Sequence, residues 1–400
     1  MPSRPCRDPG QFHLCPLRTQ AADTKPAGSC NGRAELKPAR ILAAVGWALL
    51  LGCNGEPVGS ELRIYNWTDY IAPETVALFE AQTGIRVTYD VFDSNEMLEA
   101  KLLSGASGYD IVVPTSDFMG RQIIAGVFQP LDPLQLPNRR YLDPQLMAVV
   151  AGLDEGNRYG VPYLWGTTGL GVNLDLVRQR LGEDAPLDSL ALLFDPENIS
   201  RLADCGVAVL DAPQELFGAA LLYAGEDPRS MAPEPYGEVA RPLLAAIRPY
   251  VRYFHSSQYI NDLANGEICL AFGWSGDILQ ARDRALEAGS DISPAYFVPR
   301  EGALLWFDML AIPTDAPNVD NAHRFINFLL QPEVIAQVSN YVKYANANLA
   351  ATPLLPADIR DDPAIYPPAD VRDRLYTDVV TPPSVDRVIN RLWTAIKTGR

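Results

Sequence analysis

The sequence predicts an α/β protein with two lobes and a cleft between them. Strand-like segments are followed by helix-like segments, first between residues 62 and 124 and again from Asn173 onward. A glycine-rich stretch at 166–171 separates the two series, and glycine lets a backbone bend or approach a neighbour closely where the chain crosses between lobes. A length of 400 residues is enough for two lobes with apolar cores.

The first 53 residues do not fit this pattern. An apolar run at 41–51 follows a basic segment, which is typical of an export signal and too short for a permanent membrane span. The run ends in LLGC, which resembles a bacterial lipobox and predicts that Cys53 becomes a lipidated first residue; the alternative is a plain cleaved signal. We expect 36–53 to be the signal peptide and 1–35 to be a disordered leader or the product of a misassigned start.

Three strand-to-helix units make up the first series. Each strand ends at polar residues and is followed by a helix-start signal. The units are strand Leu62–Tyr65 before a helix at Pro73, strand Ile85–Val91 before a helix starting at Asp93–Glu96, and strand Tyr109–Pro114 before a helix at Arg121–Ile124. Ligands of open α/β sheets bind beyond the carboxyl ends of strands, so Asn66–Tyr70 and Thr115–Asp117 are candidate ligand loops.

The second series continues in the same manner. The glycines at 166–171 miss the order of a dinucleotide-binding loop, so they predict a crossing and not a phosphate site. The predicted strands are Tyr159–Trp165, Leu170–Asn173, Val207–Asp211, Ile268–Trp274, Ala295–Pro299 and Leu304–Pro313. The predicted helices begin at Pro213 and cover Leu243–Tyr253, Ala322–Leu330, Pro332–Val342 and Pro383–Lys397.

Aromatic and acidic residues recur together at strand ends. Trp67-Thr68-Asp69-Tyr70 combines a ring, a hydroxyl, a carboxylate and a phenol, and the pairing of Trp with Asp returns near residues 274–277 and 306–308. A ring face attracts an ammonium group and a carboxylate neutralises it, so the pattern predicts a site for an organic cation. Taken singly, these residues are also explained by core packing and helix capping, and Glu215 by the helix dipole.

The net charge and the absence of enzyme motifs limit the classes of function that the sequence supports. The formal net charge is −16, and the first 53 residues are basic, so the remainder is more acidic still. Such a surface repels nucleic acid and anionic lipid and favours cationic ligands, although solubility alone also explains it. With three histidines and no H-E-x-x-H, Walker A or nucleophile-elbow motif, the sequence predicts no enzyme and no metal or cofactor.

The six cysteines divide into two groups. Three lie in the leader and one in the lipobox, which leaves Cys205 and Cys269 in the body of the chain. An even pair in an exported protein indicates a disulfide, and two buried thiols are the alternative.

Several short stretches together resemble a known family. They are Asn66-Trp67-Thr68-Asp69-Tyr70, Gly108–Pro114, Phe254-His255-Ser256-Ser257, Gly273-Trp274-Ser275-Gly276-Asp277, Phe307-Asp308-Met309 and Tyr344–Asn348. Over roughly residues 62–397, the chain is similar to the spermidine/putrescine-binding proteins of bacterial ABC importers, most closely to the putrescine-binding branch.

The resemblance implies a two-lobed type II periplasmic binding protein fold with hinge strands between the lobes. We expect one lobe to comprise about 60–165 and 300–335, the other about 166–299 and 336–380, and a last helix at 381–400. The implied protein is a periplasmic monomer, with or without a lipid anchor, that captures a polyamine and delivers it to permease subunits in the inner membrane. A polyamine sensor that signals to a membrane receptor is the alternative, because its cleft would be identical.

The resemblance also implies site residues, with a family disulfide falling on Cys205 and Cys269. The predicted ligand-binding residues are Trp67, Thr68, Asp69, Tyr70, Thr115, Glu215, Trp274, Asp277, Trp306, Asp308 and Tyr344.

Three positions depart from the family pattern. Thr115 stands where relatives often have Ser, Asp117 where many have a neutral residue, and Trp306 where putrescine-preferring members have Phe and some spermidine-preferring members have Trp. An additional carboxylate and a longer aromatic surface favour spermidine over putrescine. Asp277, which is retained as in putrescine-type relatives, argues for putrescine.

Overall fold

Strands from two α/β halves join into one mixed sheet of 11 strands in this computed structural model, which describes residues 60–399. The predicted leader (1–35), the signal peptide (36–53) and the lipidation site Cys53 lie outside the described residues. None of the helices in the described part is both long and apolar enough to cross a lipid bilayer.

The strands are short except for the two that run through the centre of the sheet. In chain order they are β1 (Glu61–Trp67), β2 (Arg86–Phe92), β3 (Ile111–Val112), β4 (Gly160–Asn173), β5 (Val207–Val209), β6 (Tyr253–Phe254), β7 (Leu270–Trp274), β8 (Pro294–Phe297), β9 (Ala303–Ala311), β10 (Ala345–Asn346) and β11 (Leu375–Thr377). The main path through the sheet is β2-β1-β3-β9-β4-β7-β5-β6, with β8 and β10 paired to β4 and β11 paired to β9.

The helices cover both faces of this sheet and its ends. They are α1 (Pro73–Thr83), α2 (Asn95–Leu103), α3 (Ser116–Ile124), α4 (Pro144–Val150), α5 (Leu174–Leu181), α6 (Ala191–Phe194), α7 (Pro196–Leu202), α8 (Pro213–Tyr223), α9 (Arg241–Ile247), α10 (Gln258–Ala264), α11 (Ser275–Glu287), α12 (Val319–Leu329), α13 (Pro332–Val342), α14 (Ala357–Arg360), α15 (Ala369–Arg372) and α16 (Pro383–Thr398).

Strand β4 connects the two lobes. Its first half, Gly160–Thr167, pairs antiparallel with β9, and its second half, Thr168–Asn173, pairs antiparallel with β7 and β8. Strands β1, β2, β3 and β9 therefore lie on the side of the first half of β4, and β5 to β8 lie on the side of its second half. All 14 residues of β4 are buried, so the chain passes between the lobes through the core.

Parallel pairing brings the candidate loops to one edge in each lobe. Strands β2 and β3 both run parallel to β1, and β6 and β7 both run parallel to β5. The carboxyl ends of the strands in each set therefore meet. The polar residues that follow these strands face the region between the lobes, where the sequence predicted the ligand.

Two predicted elements require correction. The extended runs on either side of 166–171 are one continuous strand, β4, and its glycines are needed because a Cβ at Gly166 would lie 2.7 Å from Cζ2 of Trp306. The helix predicted at Leu243–Tyr253 ends at Ile247, because Pro249 has no N–H to continue it; a 3₁₀ turn follows, and Tyr253 begins β6.

Several other predictions agree closely with the structure. Helix α13 occupies Pro332–Val342 as predicted, and α1, α8 and α16 begin at the predicted prolines. Helix α2 begins after Ser94, whose side chain accepts a hydrogen bond from the N–H of Met97 and so satisfies one free donor of the first turn.

A pair of cysteines joins the segment after α7 to the segment before β7. The structure places Cys205 and Cys269 as a bonded pair with their Cα atoms 5.6 Å apart. Both are buried, so the pair lies within the core of the second lobe.

Candidate functional site

Residues from both lobes line a cavity at the strand ends. Its residues come from the ends of β1, β2, β3, β7 and from the middle of β9, together with the first turns of α8, α10 and α11. The lining residues are Trp67, Thr68, Tyr70, Phe92, Asp93, Thr115, Glu215, Ser256, Ser257, Ile260, Trp274, Asp277, Trp306, Asp308 and Tyr344. We call this the main cavity.

Aromatic rings form the walls of the main cavity. The ring centroids of Trp67 and Trp274 are 5.5 Å apart at 74°, those of Tyr70 and Tyr344 are 5.1 Å apart at 72°, and those of Trp306 and Tyr344 are 5.4 Å apart at 61°. Edge-to-face contacts of this kind hold rings in fixed orientations. The walls are therefore rigid and offer π-electron faces to a bound group.

Asp308 is a buried carboxylate without a complete set of hydrogen bonds. It lies on β9 with 4% of its surface exposed, and its Oδ1 atom has no hydrogen-bond partner among the described residues. Burial raises the pKa of Asp308 well above its usual range, and the nearby carboxylates of Asp117 and Glu215 raise it further. A cation placed beside Oδ1 would relieve both the desolvation and the missing contact.

Asp277 is also buried but is fully engaged. It lies in the first turn of α11, where Oδ2 accepts a hydrogen bond of 2.7 Å from the Tyr259 hydroxyl and Oδ1 accepts one of 2.6 Å from the Tyr344 hydroxyl. Burial raises the pKa of Asp277 to about 6, while the two phenols act in the opposite direction. The tyrosines thus hold this carboxylate in place and favour its charged form.

Glu215 projects from the first turn of α8 towards the same cavity. Its two carboxylate oxygens accept hydrogen bonds of 3.1 and 3.2 Å from Nε1 of Trp274, and the Thr168 hydroxyl donates to Oε2. Burial raises the pKa of Glu215 to about 7. Because Thr168 belongs to β4, the crossing strand itself orients this carboxylate.

Hydroxyl groups complete the lining. The Thr68 hydroxyl donates a hydrogen bond of 2.8 Å to Oδ1 of Asp93, which leaves the lone pairs of Thr68 Oγ1 available as acceptors. The hydroxyls of Tyr70, Thr115 and Ser256 are buried and have no partner among the described residues. These groups can accept hydrogen bonds from a ligand that carries several N–H donors.

The lining has the chemistry of a cation site. It contains the four carboxylates of Asp93, Glu215, Asp277 and Asp308 and no lysine or arginine. Aromatic faces and buried carboxylates attract an ammonium group, whereas an anion would meet negative charge on several sides. The narrow, ring-walled space also suits a slender, partly apolar molecule.

Comparison with known proteins identifies the family. A sequence model of the bacterial extracellular solute-binding protein family matches residues 74–367. The chain belongs to the bacterial extracellular solute-binding proteins.

Relatives of this solute-binding protein cover nearly its whole described length. It is 54% identical over 339 residues to the putrescine-binding periplasmic protein PotF of Escherichia coli (strain K12), across 85% of this chain and 92% of that protein. It is 51% identical to the putrescine-binding periplasmic protein SpuD of Pseudomonas aeruginosa (strain UCBPP-PA14), with the same coverage.

A solved structure has the same fold. The spermidine/putrescine ABC transporter substrate-binding protein PotD from Streptococcus pneumoniae strain Canada MDR_19A, in complex with calcium and HEPES, matches with a TM-score of 0.69 at 28% identity. The match covers 85% of this chain and 99% of that one. The two-lobed fold of periplasmic binding proteins is therefore confirmed.

Ten of the 11 residues predicted to bind the ligand of this solute-binding protein line the main cavity. Asp69 is the exception. Its carboxylate lies 3.0 Å from Nη2 of Arg284 on α11, so it forms an ion pair with the second lobe at the side of the cavity. Asp117 does not line the main cavity but a neighbouring compartment.

Sequence reasoning missed three residues that organise the cavity. Asp93 directly follows the carboxyl end of β2, so the rule that selected the loop after β1 would also have selected it. Tyr259 and Thr168 position Asp277 and Glu215 across the fold, and nothing in their local sequence signals those contacts.

Proposed function

We propose that this solute-binding protein captures a polyamine in the main cavity, in the periplasm, and delivers it to an ABC importer. The relatives at 54% and 51% identity are named putrescine-binding periplasmic proteins, and others at 34–35% are named spermidine/putrescine-binding periplasmic proteins. The protein is a carrier and not an enzyme: it binds its ligand and releases it unchanged.

The observation that carries the proposal is the unpartnered Oδ1 of Asp308 inside an aromatic cavity. A buried carboxylate is costly unless a cation or several hydrogen bonds compensate it. No lysine or arginine lines the cavity to do so. A protonated amine of the ligand supplies both the charge and the N–H donors.

The carboxylates divide between the two ends of the ligand. Asp308 receives one terminal ammonium, with the hydroxyls of Tyr70 and Thr68 as further acceptors. Asp277 and Glu215 receive a second ammonium, and the methylene chain lies between the rings of the aromatic wall. Trp67, Thr115, Trp274, Trp306 and Tyr344 complete the ligand contacts, and Asp69 contributes through its ion pair with Arg284.

The preferred polyamine is spermidine rather than putrescine in this proposal. Trp306 presents an indole where a smaller ring would leave space, and Asp117 adds a carboxylate just beyond the cavity. An additional positive charge on the ligand is therefore compensated.

The remaining features belong to the same proposal. The lobes comprise about 60–165 with 300–335 and about 166–299 with 336–380, and they close on the ligand. The protein acts as a monomer, is anchored through a lipid on Cys53, and carries an oxidised Cys205–Cys269 pair. The names of the relatives refer to binding proteins and to an ABC transporter, which favours import over a sensor that signals to a membrane receptor.

Isothermal titration calorimetry at low ionic strength tests the proposal. Two ammonium–carboxylate contacts at 4 Å each gain about 4 kcal/mol at an effective dielectric constant near 20, before desolvation is subtracted. We expect putrescine and spermidine to bind with dissociation constants of about 1 µM or below. N,N′-Diacetylputrescine, which keeps the chain but lacks both charges, is the matched control and should not bind. The absence of binding heat with every polyamine would refute the proposal.

A further inference from the structure

One of the three indoles that line the main cavity has an N–H group without an acceptor. Trp67 donates from Nε1 to the carbonyl oxygen of Val113 at 2.9 Å, and Trp274 donates from Nε1 to the carboxylate of Glu215 at 3.1 Å. Trp306 is 7% exposed, and its Nε1 atom has no hydrogen-bond partner among the described residues. An indole nitrogen can only donate a hydrogen bond, so this group requires an acceptor.

The surrounding structure holds the indole of Trp306 in one orientation. Trp306 on β9 lies opposite Gly166 on β4, and a Cβ at Gly166 would be 2.7 Å from Cζ2 of the indole, so the ring packs directly on the backbone of β4. On another side its centroid is 5.4 Å from that of the Tyr344 ring. Rotation of the indole towards a protein acceptor would break both contacts. Because Trp306 lines the main cavity, a molecule bound there is the remaining source of an acceptor.

A fully protonated polyamine cannot supply this acceptor. Each of its ammonium groups carries N–H donors and no lone pair. Such a ligand can satisfy Oδ1 of Asp308 and other free oxygens of the lining, because all of these accept hydrogen bonds, but it leaves the N–H of Trp306 unpaired. A buried donor without a partner carries a desolvation cost. The main cavity therefore combines several acceptors for ammonium groups with one donor that ammonium groups leave unsatisfied.

The charges near Trp306 restrict the acceptor to a neutral group. Asp308 lies two residues further along β9, so its carboxylate projects from the same face of the strand as the indole. Glu215 lines the same cavity, and no lysine or arginine does. These carboxylates would repel a carboxylate on the ligand, whereas an amide carbonyl accepts a hydrogen bond without adding negative charge. Acylation of one amine gives a polyamine such a carbonyl.

We propose that Trp306 recognises the carbonyl oxygen of a monoacylated polyamine, so that the main cavity accepts a ligand with two ammonium groups and one N-acyl amide. This inference rests on the proposed function, because the carboxylates of the main cavity hold the two ammonium groups. N1-Acetylspermidine has this composition: it contains the complete putrescine unit with both charges and ends in an acetamide. Trp306 then selects the ligand through a hydrogen bond as well as through its ring surface.

A pair of ligands isolates the carbonyl group. N1-Acetylspermidine and N-hexylputrescine have the same chain length and the same two positive charges, but the second has methylene groups in place of the amide. Calorimetric titrations measure the ratio of their dissociation constants. The native protein should bind N1-acetylspermidine about fivefold more tightly, which is the effect expected of one hydrogen bond. Without that bond N-hexylputrescine should bind at least as tightly, because a buried amide loses its hydrogen bonds to water.

Replacement of Trp306 locates the effect. Trp306→Phe removes the N–H group and weakens ring packing for both ligands, so the preference for N1-acetylspermidine should disappear while some affinity for each remains. Trp393→Phe is the matched control, because Trp393 on α16 does not line the main cavity and donates from Nε1 to Asp211. It should keep the native ratio.

Folding of both variants is measured by circular dichroism and thermal unfolding. If Trp306→Phe does not fold, β-(3-benzothienyl)alanine at position 306 gives the same test, because it retains the bicyclic shape with sulfur in place of the N–H group. The ratio of the two dissociation constants should again lose its preference for N1-acetylspermidine.

The outcomes separate this inference from the proposed function. If the native protein binds putrescine but binds N-hexylputrescine as tightly as N1-acetylspermidine, or more tightly, recognition of the carbonyl is refuted and polyamine capture stands. A native preference that persists after the N–H group of Trp306 is removed refutes it equally. If putrescine, spermidine and both test ligands all fail to bind, the proposed function itself is wrong.

Discussion

Asp308 and Asp277, the two buried carboxylates that we propose bind one polyamine, differ in their hydrogen bonds. Asp277 has both oxygens engaged by tyrosine hydroxyls before any ligand arrives. Asp308 keeps one oxygen without a partner in the described structure. The first is positioned in advance, and the second carries an unfavourable free energy that binding a cation removes. Both should therefore matter for affinity, but they should differ in their effect on the stability of the empty protein.

Replacing either carboxylate by its amide tests this distinction. We predict that Asp308→Asn and Asp277→Asn each weaken polyamine binding by at least about tenfold, because an ammonium loses its counter-charge in a buried site. The unfolding temperature of the ligand-free protein should stay the same or rise in Asp308→Asn, which removes an uncompensated charge. Calorimetry and thermal unfolding measure the two effects, with Asp184→Asn as the surface control. Native affinity in both variants would show that the site is elsewhere.

The raised pKa values of Asp277 (about 6) and Glu215 (about 7) predict a pH dependence. The amines of the ligand stay charged in this range, whereas the carboxylates lose charge as the pH falls through 7 and then 6. Affinity should therefore fall between pH 7.5 and pH 5.5, and binding at pH 6 should release protons. Titrations at pH 6 in two buffers of different ionisation enthalpy measure that release. Equal apparent heats in both buffers would contradict the prediction.

The same pKa shifts make the stability of the ligand-free protein depend on pH. Both groups have folded-state pKa values above their ordinary values, so the folded state binds more protons than the unfolded state. Their contribution to stability is greatest at low pH and is lost as the pH rises through 6 and 7. A saturating polyamine should offset this loss.

At the scale of elements, the sequence predicted helices and strands best where a local signal marks their ends. Prolines at the first helical turn located α1, α8, α13 and α16, because proline fits that position without losing a hydrogen bond. The continuity of β4 was not predictable from the glycines at 166–171. Its course depends on pairing with β9 on one side and with β7 and β8 on the other, which only the tertiary structure supplies.

For the site as well, local sequence patterns predicted some residues, and contacts between distant segments were not predictable. Trp67 and Thr68 were found because they follow a strand, and Asp308 because it accompanies an aromatic residue in a stretch with a family resemblance. Tyr259 and Thr168 were not found, since each reaches the site from a distant segment. Sequence therefore indicates which residues carry the chemistry, but not which residues position them.

The Cys205–Cys269 pair links two elements of the fold and should contribute to its stability. If it is oxidised, it closes a loop whose ends are 64 residues apart in sequence and stabilises the fold by about 4 kcal/mol. We predict that the double variant Cys205→Ser/Cys269→Ser unfolds at a lower denaturant concentration, with polyamine affinity retained at low temperature because neither residue lines the cavity. The control is the native protein with and without reductant. If both of these samples and the variant unfold at the same denaturant concentration, the disulfide is not present.

At the scale of the whole molecule, residues of both lobes line the main cavity and the lobes also contact each other directly. Asp69 follows β1 in the first lobe, and Arg284 belongs to α11 in the second; their side chains meet at 3.0 Å. Arg284 also donates a hydrogen bond of 2.7 Å to Oδ1 of Asn261. This partly exposed ion pair stabilises the arrangement in which both lobes surround the cavity.

Closure of the lobes should therefore accompany binding. Asp308 and Glu215 belong to different lobes, so a ligand that contacts both favours the closed form. We predict that the radius of gyration from small-angle X-ray scattering falls when polyamine is added. Arg284→Gln should weaken binding by up to about fivefold, the range expected for an exposed ion pair. An unchanged radius at saturation would contradict the closure mechanism.

We propose above all that a polyamine occupies the main cavity with an ammonium group at Asp308. A crystal structure of the protein with saturating spermidine tests it most directly. We predict ligand density between the indoles of Trp67, Trp274 and Trp306, with one terminal nitrogen about 3 Å from Oδ1 of Asp308. Density for spermidine elsewhere on the protein, or a main cavity filled by water alone at saturating ligand, would contradict this binding site.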